Sequence, residues 1–296
     1  QYLFLKDRRF WQYLFLKDRR FWQYLFLKGM YMDIQEIPNR HGLKVSKMRM
    51  SCNDCGHQVP FPLQKSNFFY IISGNPGSGK TNLWLNLISR RKWAYNQQFH
   101  KVYIFSNSLH TIKKKLKLPD EQLIHGFSPE SLLEVLDAER EEESELDEGE
   151  EPNRILMIFD DVVTSIKKHI QPMLKLIYNR RHIAGGCSVM LTTQKFNKVP
   201  LELRAVASGV FFFNTKNKAE IDAVFREYIG LSREEFQKVL KFVFDERHNF
   251  LYINLELPSE ESLFKNFNQL RITTAETSHK SAALQLVKQD VRVQVD

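Results

Sequence analysis

Cysteine is scarce: the 296 residues hold three, Cys52, Cys55 and Cys187. Three is too few for a framework of staples and is an odd number, which excludes a disulfide scaffold and suits a reducing compartment. Long apolar runs are missing as well. No uninterrupted stretch approaches the ~18 residues of a spanning helix. The apolar stretches that occur, such as Ile155 to Phe159, are short and bounded by charge, as buried strands are. The N-terminus alternates apolar and charged patches, so neither a secretory signal nor a membrane partner is expected. Glycine and proline, at 12 and 10 residues, are far too few for a collagen-like or low-complexity chain. What remains is an ordinary globular composition, 43% hydrophobic and 26% charged, with enough apolar residues for a sizeable core.

The formal net charge of +8 is unevenly spread. QYLFLKDRRFW at 1–11 recurs unchanged at 12–22, and QYLFLK returns at 23–28. Natural solenoid repeats have periods of 20–50 residues, so this reads as a duplicated coding stretch, with the start expected at Met30 or Met32. The alternative is a basic, aromatic arm for a membrane surface or nucleic acid. Residues 1–29 carry seven Lys/Arg and two Asp, so the rest of the chain holds only about three of the eight net charges. Net charge is therefore weak evidence for a nucleic-acid partner.

Beyond the repeat, an N-terminal segment is expected at 30–65 and a P-loop domain at 66–272, with a polar tail at 273–296. Phe68–Ser73 (FFYIIS), Val102–Phe105, Ile155–Asp161, Ser188–Thr193, Val210–Asn214 and Phe250–Leu255 read as strands, being aromatic or β-branched and short. Helical spacing recurs at Thr81–Arg91, from Ser128 through Leu136, and at Ile170–Arg181, Ala219–Ile229 and Arg233–Val243. Lys113–Lys117 is expected to be a solvated helix face. The acidic run 139–151, almost without apolar residues, is expected to form an exposed, mobile insertion. Strands alternating with helices predict an α/β fold with right-handed crossovers and a mainly parallel sheet.

The strongest chemical signal is Gly74-Asn75-Pro76-Gly77-Ser78-Gly79-Lys80-Thr81, a complete GxxxxGK[ST] between a strand and a helix. The glycines let successive N–H groups turn into one cavity at a helix N-terminus, where they bind phosphates. Lys80 would reach the β- and γ-phosphates of ATP, and the Thr81 hydroxyl would ligate Mg²⁺. Hydrolysis needs a second carboxylate for the metal and a group that orients water. Asp160 and Asp161, ending the run ILMIFDD, supply them: Asp160 for Mg²⁺ and Asp161 to polarise water. By themselves such residues would sooner end a strand in a turn or cap a helix; beside a P-loop the catalytic reading is favoured.

Gln194, at the end of SVMLTTQ, could bond to the γ-phosphate or the attacking water, or satisfy loop backbone. Arg180 and Arg181 close a helical pattern between the acidic strand and the Gln194 strand. They are expected near the active edge, either favouring the negative helix end or reaching a neighbour's nucleotide as an arginine finger.

Taken together, GNPGSGKT, ILMIFDD, RRH before a strand ending TTQ, and KVPLELR resemble the genome-packaging ATPases of large DNA viruses, the poxvirus-type branch of the FtsK/HerA superfamily. The resemblance covers roughly Ser66 to Leu255. It implies a P-loop NTPase with a RecA-like sheet flanked by helices. It also implies a homo-oligomeric ring that uses ATP to thread double-stranded DNA into a preformed capsid, with capsid or portal-like vertex proteins as partners, at the viral assembly site in the host cytoplasm or in the virion. By resemblance, Asp160 and Asp161 match the acidic pair, Gln194 the sensor glutamine and Arg181 the arginine finger, with Arg180 and Arg204 as other candidates. The competing class is a non-motor P-loop protein such as a nucleotide kinase or regulatory ATPase; Asn214-Thr-Lys216-Asn is not a guanine-reading NKxD. Cys52-Asn-Asp-Cys55-Gly-His57 offers half a zinc knuckle, and four ligands are needed. Two reduced cysteines in a turn are the expected state.

Overall fold

The computed structural model describes residues 33–40, 42, 59–89, 94–95, 98–113, 116–148, 150 and 152–273. The tandem repeat, the Cys52/Cys55 pair and the polar tail from 274 lie outside these residues. Two units are distinguished. One comprises the chain ends, 1–35 and 271–296, and the other spans 36–270. In chain order the elements are β1 (Asp33–Ile37), β2 (Phe69–Ser73), α1 (Lys80–Ser89), β3 (Lys101–Ser106), α2 (Leu109–Lys113), β4 (Leu123–His125), α3 (Pro129–Ser144), β5 (Ile155–Asp160), α4 (Val163–Lys168), α5 (Ile170–Asn179), β6 (Cys187–Thr193), α6 (Leu201–Arg204), β7 (Gly209–Phe213), α7 (Lys218–Tyr228), α8 (Arg233–Val243), β8 (Phe250–Asn254), β9 (Leu263–Lys265) and β10 (Asn268–Thr273).

The strands of the larger unit lie in the order β10-β9-β8-β7-β2-β6-β5-β3-β4. From β7 to β4 every neighbouring pair is parallel, and β7–β8, β8–β9 and β9–β10 are antiparallel. The fold is α/β, with a large and mostly parallel sheet flanked by helices. The central strands β2, β5, β6 and β7 are buried along their whole length. That explains why β2, β5 and β7 are near-continuous apolar runs rather than alternating ones.

Register brings the chemistry to one edge. Ser73 pairs with Thr193 and Ser106 with Asp160, so the carboxyl ends of β2, β6, β3 and β5 stop level with one another. At the other end of the sheet core, residues before the expected domain start are already packed. Val59 and Leu63 are buried with Phe68, Tyr70 and Tyr252. Gln64 donates through Nε2 to Ser208 O (2.9 Å) and Asn254 Oδ1 (2.8 Å), while its own carbonyl accepts from the Tyr95 hydroxyl (2.6 Å). The packed domain therefore begins before residue 66.

The acidic run also differs from expectation. Ser128 caps α3 with its side chain accepting from Ser131 N–H, and the helix runs on to Ser144, taking in the first six residues of the supposed insertion. Glu139 is 1% exposed; the Tyr103 hydroxyl donates to it and Lys101 Nζ lies 3.1 Å away. A partner on β3 makes burial of this carboxylate tolerable. Helix α2 is described as far as Lys113, and Leu116 and Lys117 lie in no helix, while Lys114 and Lys115 of the expected basic face lie outside the described residues. Among the described residues, no helix is long and apolar enough to cross a membrane.

Candidate active site

Strand β2 delivers the chain to the phosphate-type loop, and α1 takes it away. Gly74 N–H still pairs with Thr193 O (3.1 Å), so the loop starts anchored to β6. A Cβ on Gly74 would lie 2.5 Å from Ser78 Oγ and 2.7 Å from Phe213 Cβ, leaving space only for hydrogen. Gly77 and Gly79 adopt φ of +73° and +114°, which favour glycine. The first helical bond of α1 runs from Leu83 N–H to Gly79 O (2.8 Å). The amides of Gly79, Lys80 and Thr81 precede that ladder and open at the helix end, where the dipole favours anions.

Lys80 is 6% exposed, and its ammonium donates to Gly74 O (2.8 Å) and Asn75 O (3.4 Å). Burial pulls its pKa down, and the carboxylates of Asp161 and Asp160 act in the opposite direction. The lysine is thus folded back on its own loop, in place to exchange two carbonyls for phosphate oxygens.

Asp160 ends β5 with 7% exposure. Its Oδ1 accepts from Thr192 Oγ1 (2.8 Å) and Trp84 Nε1 (3.3 Å), and Ser106 Oγ approaches Oδ2 at 3.4 Å. Burial raises its pKa and the Asp161 charge adds to this; the bonds from Thr192 and Trp84 and the charge of Lys80 oppose it. Asp161 is exposed and carries φ +55°, a left-handed conformation that costs a non-glycine residue about 1–3 kcal/mol. Its N–H donates to Thr192 Oγ1 (3.0 Å), and its Oδ2 lies 3.3 Å from Gln194 Nε2. Thr192 therefore links the pair: it receives from one aspartate's backbone and donates to the other's carboxylate.

Hard oxygen donors, the Thr81 hydroxyl and the Asp160 carboxylate, are the chemistry Mg²⁺ prefers. The buried hydroxyls of Ser73 and Ser78 have no hydrogen-bond partner among the described residues. A polar lining of this kind fits a metal-bound polyphosphate.

The arginines stand elsewhere. Helix α5 returns the chain to the amino edge of the sheet, where Arg180–His182 form a single 3-10 turn. Arg180 Nε donates to Asn67 O (2.6 Å), just before β2 begins, and its Nη1 donates to Ile177 O (2.7 Å). The six residues between Asn67 and Gly74 span about 20 Å at the usual rise. The expectation that Arg181 lies near the active edge is therefore corrected: within its own chain it sits at the opposite edge. Arg181 is exposed. Arg204 is ion-paired with Glu227 and lies over the Phe196 ring at 5.1 Å, so it is committed within its own chain.

Three residues at the site were not singled out by the sequence. Thr192 and Trp84 hold Asp160. His248, on the turn between α8 and β8, places Nδ1 3.0 Å from Ser78 O. A carbonyl only accepts, so Nδ1 carries the proton. Thr192 was within reach of sequence reasoning, as the polar residue two before Gln194 on a buried strand; Trp84 and His248 left no such signal.

The chain matches the model of the family described as Poxvirus A32 protein over residues 61–291. No curated protein sequence matches it. Among solved structures, similarity extends to the DNA-packaging ATPase B204 from Sulfolobus Turreted Icosahedral Virus, with 16% identity over 65% of this chain and 95% of that one and a TM-score of 0.45. It extends also to the genome packaging NTPase B204 from Sulfolobus turreted icosahedral virus 2 in complex with AMPPCP, with 15% identity over 66% and 94% and a TM-score of 0.47. A third is the pCW3 conjugation coupling protein TcpA, with 12% identity over 69% and 60% and a TM-score of 0.42. With a match that takes in the phosphate loop, the acidic pair, the Gln194 strand and most of the chain, the protein belongs to the Poxvirus A32 protein family.

Proposed function

We propose that the protein is the ATP-hydrolysing motor that drives viral double-stranded DNA into a capsid. The observation that carries this is the meeting of Lys80, Asp160, Asp161 and Gln194 from three different strand ends at one edge, in a chain of the Poxvirus A32 family. ATP is the nucleotide. The amides from Gly77 to Thr81 receive its phosphates, and Lys80 leaves Gly74 O to meet the β- and γ-oxygens. Mg²⁺, when held by the Thr81 hydroxyl and the Asp160 carboxylate, neutralises charge on those oxygens. Asp161 accepts a proton from the attacking water, and Gln194, hydrogen-bonded to it, orients that water and touches the γ-phosphate.

Arg181 acts between subunits. At the amino edge it cannot serve its own nucleotide, and its exposure leaves it available to a neighbour's. We assign it as the arginine finger of a homo-oligomeric ring seated on a capsid or portal-like vertex at the site of virus assembly. The tandem repeat 1–29 stands outside the ATPase domain in this reading.

The decisive experiment measures ATP turnover with duplex DNA, single-stranded DNA, RNA and no nucleic acid. Stimulation by duplex DNA is expected. Turnover indifferent to every nucleic acid would remove the motor and favour a non-motor P-loop enzyme.

A further inference from the structure

Two loops flank the phosphate loop at the carboxyl edge, because β6 and β7 are the two neighbours of β2. The first follows Gln194 and presents Lys195 and Lys198; the second follows β7 and presents Lys216 and Lys218. All four lysines are exposed, and none has an ion pair among the described residues.

The nearest carboxylate of the second loop is consumed internally. Glu220 is 2% exposed; its Oε1 accepts from Asn217 Nδ2 (2.8 Å) and its Oε2 from Phe196 N–H (3.4 Å). One buried side chain thus ties the loop after β6 to the loop after β7, so the four lysines belong to a single stitched surface. Each loop is also pinned to its strand. The Thr193 hydroxyl accepts from Lys195 N–H (3.2 Å) and donates to Lys195 O (3.0 Å), and Thr215 Oγ1 accepts from Asn217 N–H (3.1 Å).

The placement runs against stability. Lys216 and Lys218 bracket Asn217, the N-cap of α7, where a cation opposes the helix dipole by about 0.3–1 kcal/mol each. Two unpaired lysines at a helix N-terminus, with two more on the loop stitched to it, are explained by an anionic partner rather than by folding. In the reading above, a nucleotide is already received by the amides of the phosphate loop. A polymer with phosphates at regular spacing fits.

We infer that Lys195, Lys198, Lys216 and Lys218 form the surface that grips the phosphodiester backbone of double-stranded DNA. This rests on the packaging reading above and deepens it. Lys195 follows Gln194 directly and is held by Thr193. A shift of Gln194 between phosphate-bound and phosphate-free states is therefore carried to the DNA contact within one residue, and Glu220 carries it on to the second loop.

The test compares the full chain with the quadruple variant Lys195→Gln/Lys198→Gln/Lys216→Gln/Lys218→Gln. Binding to a fluorescently labelled DNA duplex is followed by anisotropy over a salt series. Four lost phosphate contacts should flatten the log–log salt slope by about 3–4 and weaken binding at least about tenfold at moderate salt. DNA-free ATP turnover and ATP affinity should stay at wild-type values and the melting temperature should hold or rise slightly, because two cations leave the N-terminus of α7; that separates lost grip from lost fold. A misfolded quadruple variant is replaced by the two double variants, one per loop, each expected to flatten the slope by about 2.

Wild-type affinity and slope in well-folded variants would overturn the surface while leaving the motor intact. Absence of duplex binding by the unaltered protein would overturn both. Tighter binding of single-stranded DNA or RNA, with the same lysine dependence, would overturn the duplex assignment.

Discussion

Gln194 Nε2 stands 3.3 Å from Asp161 Oδ2. The two residues come from the ends of different strands, 33 positions apart, and both are exposed where β5 and β6 stop. The amide donates to the carboxylate, so Gln194 holds in place the group that would draw the proton from water. Behind them Thr192 ties Asp161 to the buried Asp160. The carboxyl edge of the sheet here is one hydrogen-bonded chain, from Gln194 through Asp161 and Thr192 to Asp160.

Asp161 pays in backbone conformation for its position at φ +55°. Asp161→Gly should raise or maintain the melting temperature, because glycine adopts that φ freely, while turnover falls to background. Asp161→Asn should keep ATP affinity and lose turnover, since an amide cannot take a proton. Turnover near wild type in either variant would show that Asp161 is not the group that acts on the attacking water, and leave its orientation to Gln194. Calorimetry and a steady-state assay read both.

Thr192→Val keeps shape and removes the hydroxyl that joins the aspartates. It leaves Asp161 N–H and Asp160 Oδ1 short of a partner, at a cost of about 1–3 kcal/mol. The turnover number is expected to drop about tenfold or more, with ATP affinity little changed. An unaltered turnover number would show that the link is dispensable.

Acid titration separates structural from catalytic use of Asp160. Its folded pKa is raised, chiefly by burial, so the folded state binds the proton more tightly than the unfolded chain does. Stability from this group is present below the ordinary carboxylate value and is lost as pH rises through the raised folded value. Asp160→Asn should therefore melt higher than wild type at neutral pH, with the gap closing on acidification through the carboxylate range, while ATP turnover is lost. A lower melting temperature at neutral pH would contradict the raised pKa.

His248 grips the outer face of the Ser78–Gly79 peptide. In a trans peptide the carbonyl and the N–H point opposite ways, so holding Ser78 O outward aims Gly79 N–H into the cavity. His248 itself has φ +72°. His248→Gly tolerates that φ and loses the donor; His248→Asn tolerates it and keeps a donor. The glycine variant should raise the KM for ATP about three- to tenfold with the turnover number near wild type, and asparagine should restore it. Equal KM values across the three proteins would reduce His248 to a spacer.

Arg181→Ala should bind ATP and hydrolyse it slowly, by a factor of about 10³ or more if the side chain is a finger. Lys80→Ala should fail to bind ATP at all. Mixing the two inactive proteins should restore part of the activity, since one interface then joins an intact phosphate loop to a neighbour's intact arginine. No rescue at any ratio, with a monomeric mass in the presence of ATP and DNA, would exclude the intersubunit role.

Local signals carried the sequence a long way. GNPGSGKT needs only its own glycines and the helix behind it, so loop, Lys80 and Thr81 were legible from neighbouring residues. ILMIFDD was legible because a strand buried on both faces must be apolar throughout and must end where polarity returns. The short strands β4 and β9, of three residues each, left no period to read. Glu139 was read as solvated because the partner that buries it, Tyr103, lies 36 residues away.

Arg181 was misplaced for a topological reason: a helix after a parallel strand carries the chain back to the amino edge, so the residues before β6 stand across the sheet from those after it. The sequence by itself determined which groups the site contains, since phosphate binding depends on contiguous backbone. Which carboxylate is buried, what Thr192 joins, which arginines are already spent and where His248 touches the loop were decided only by the tertiary structure, because each depends on residues brought together from distant strands.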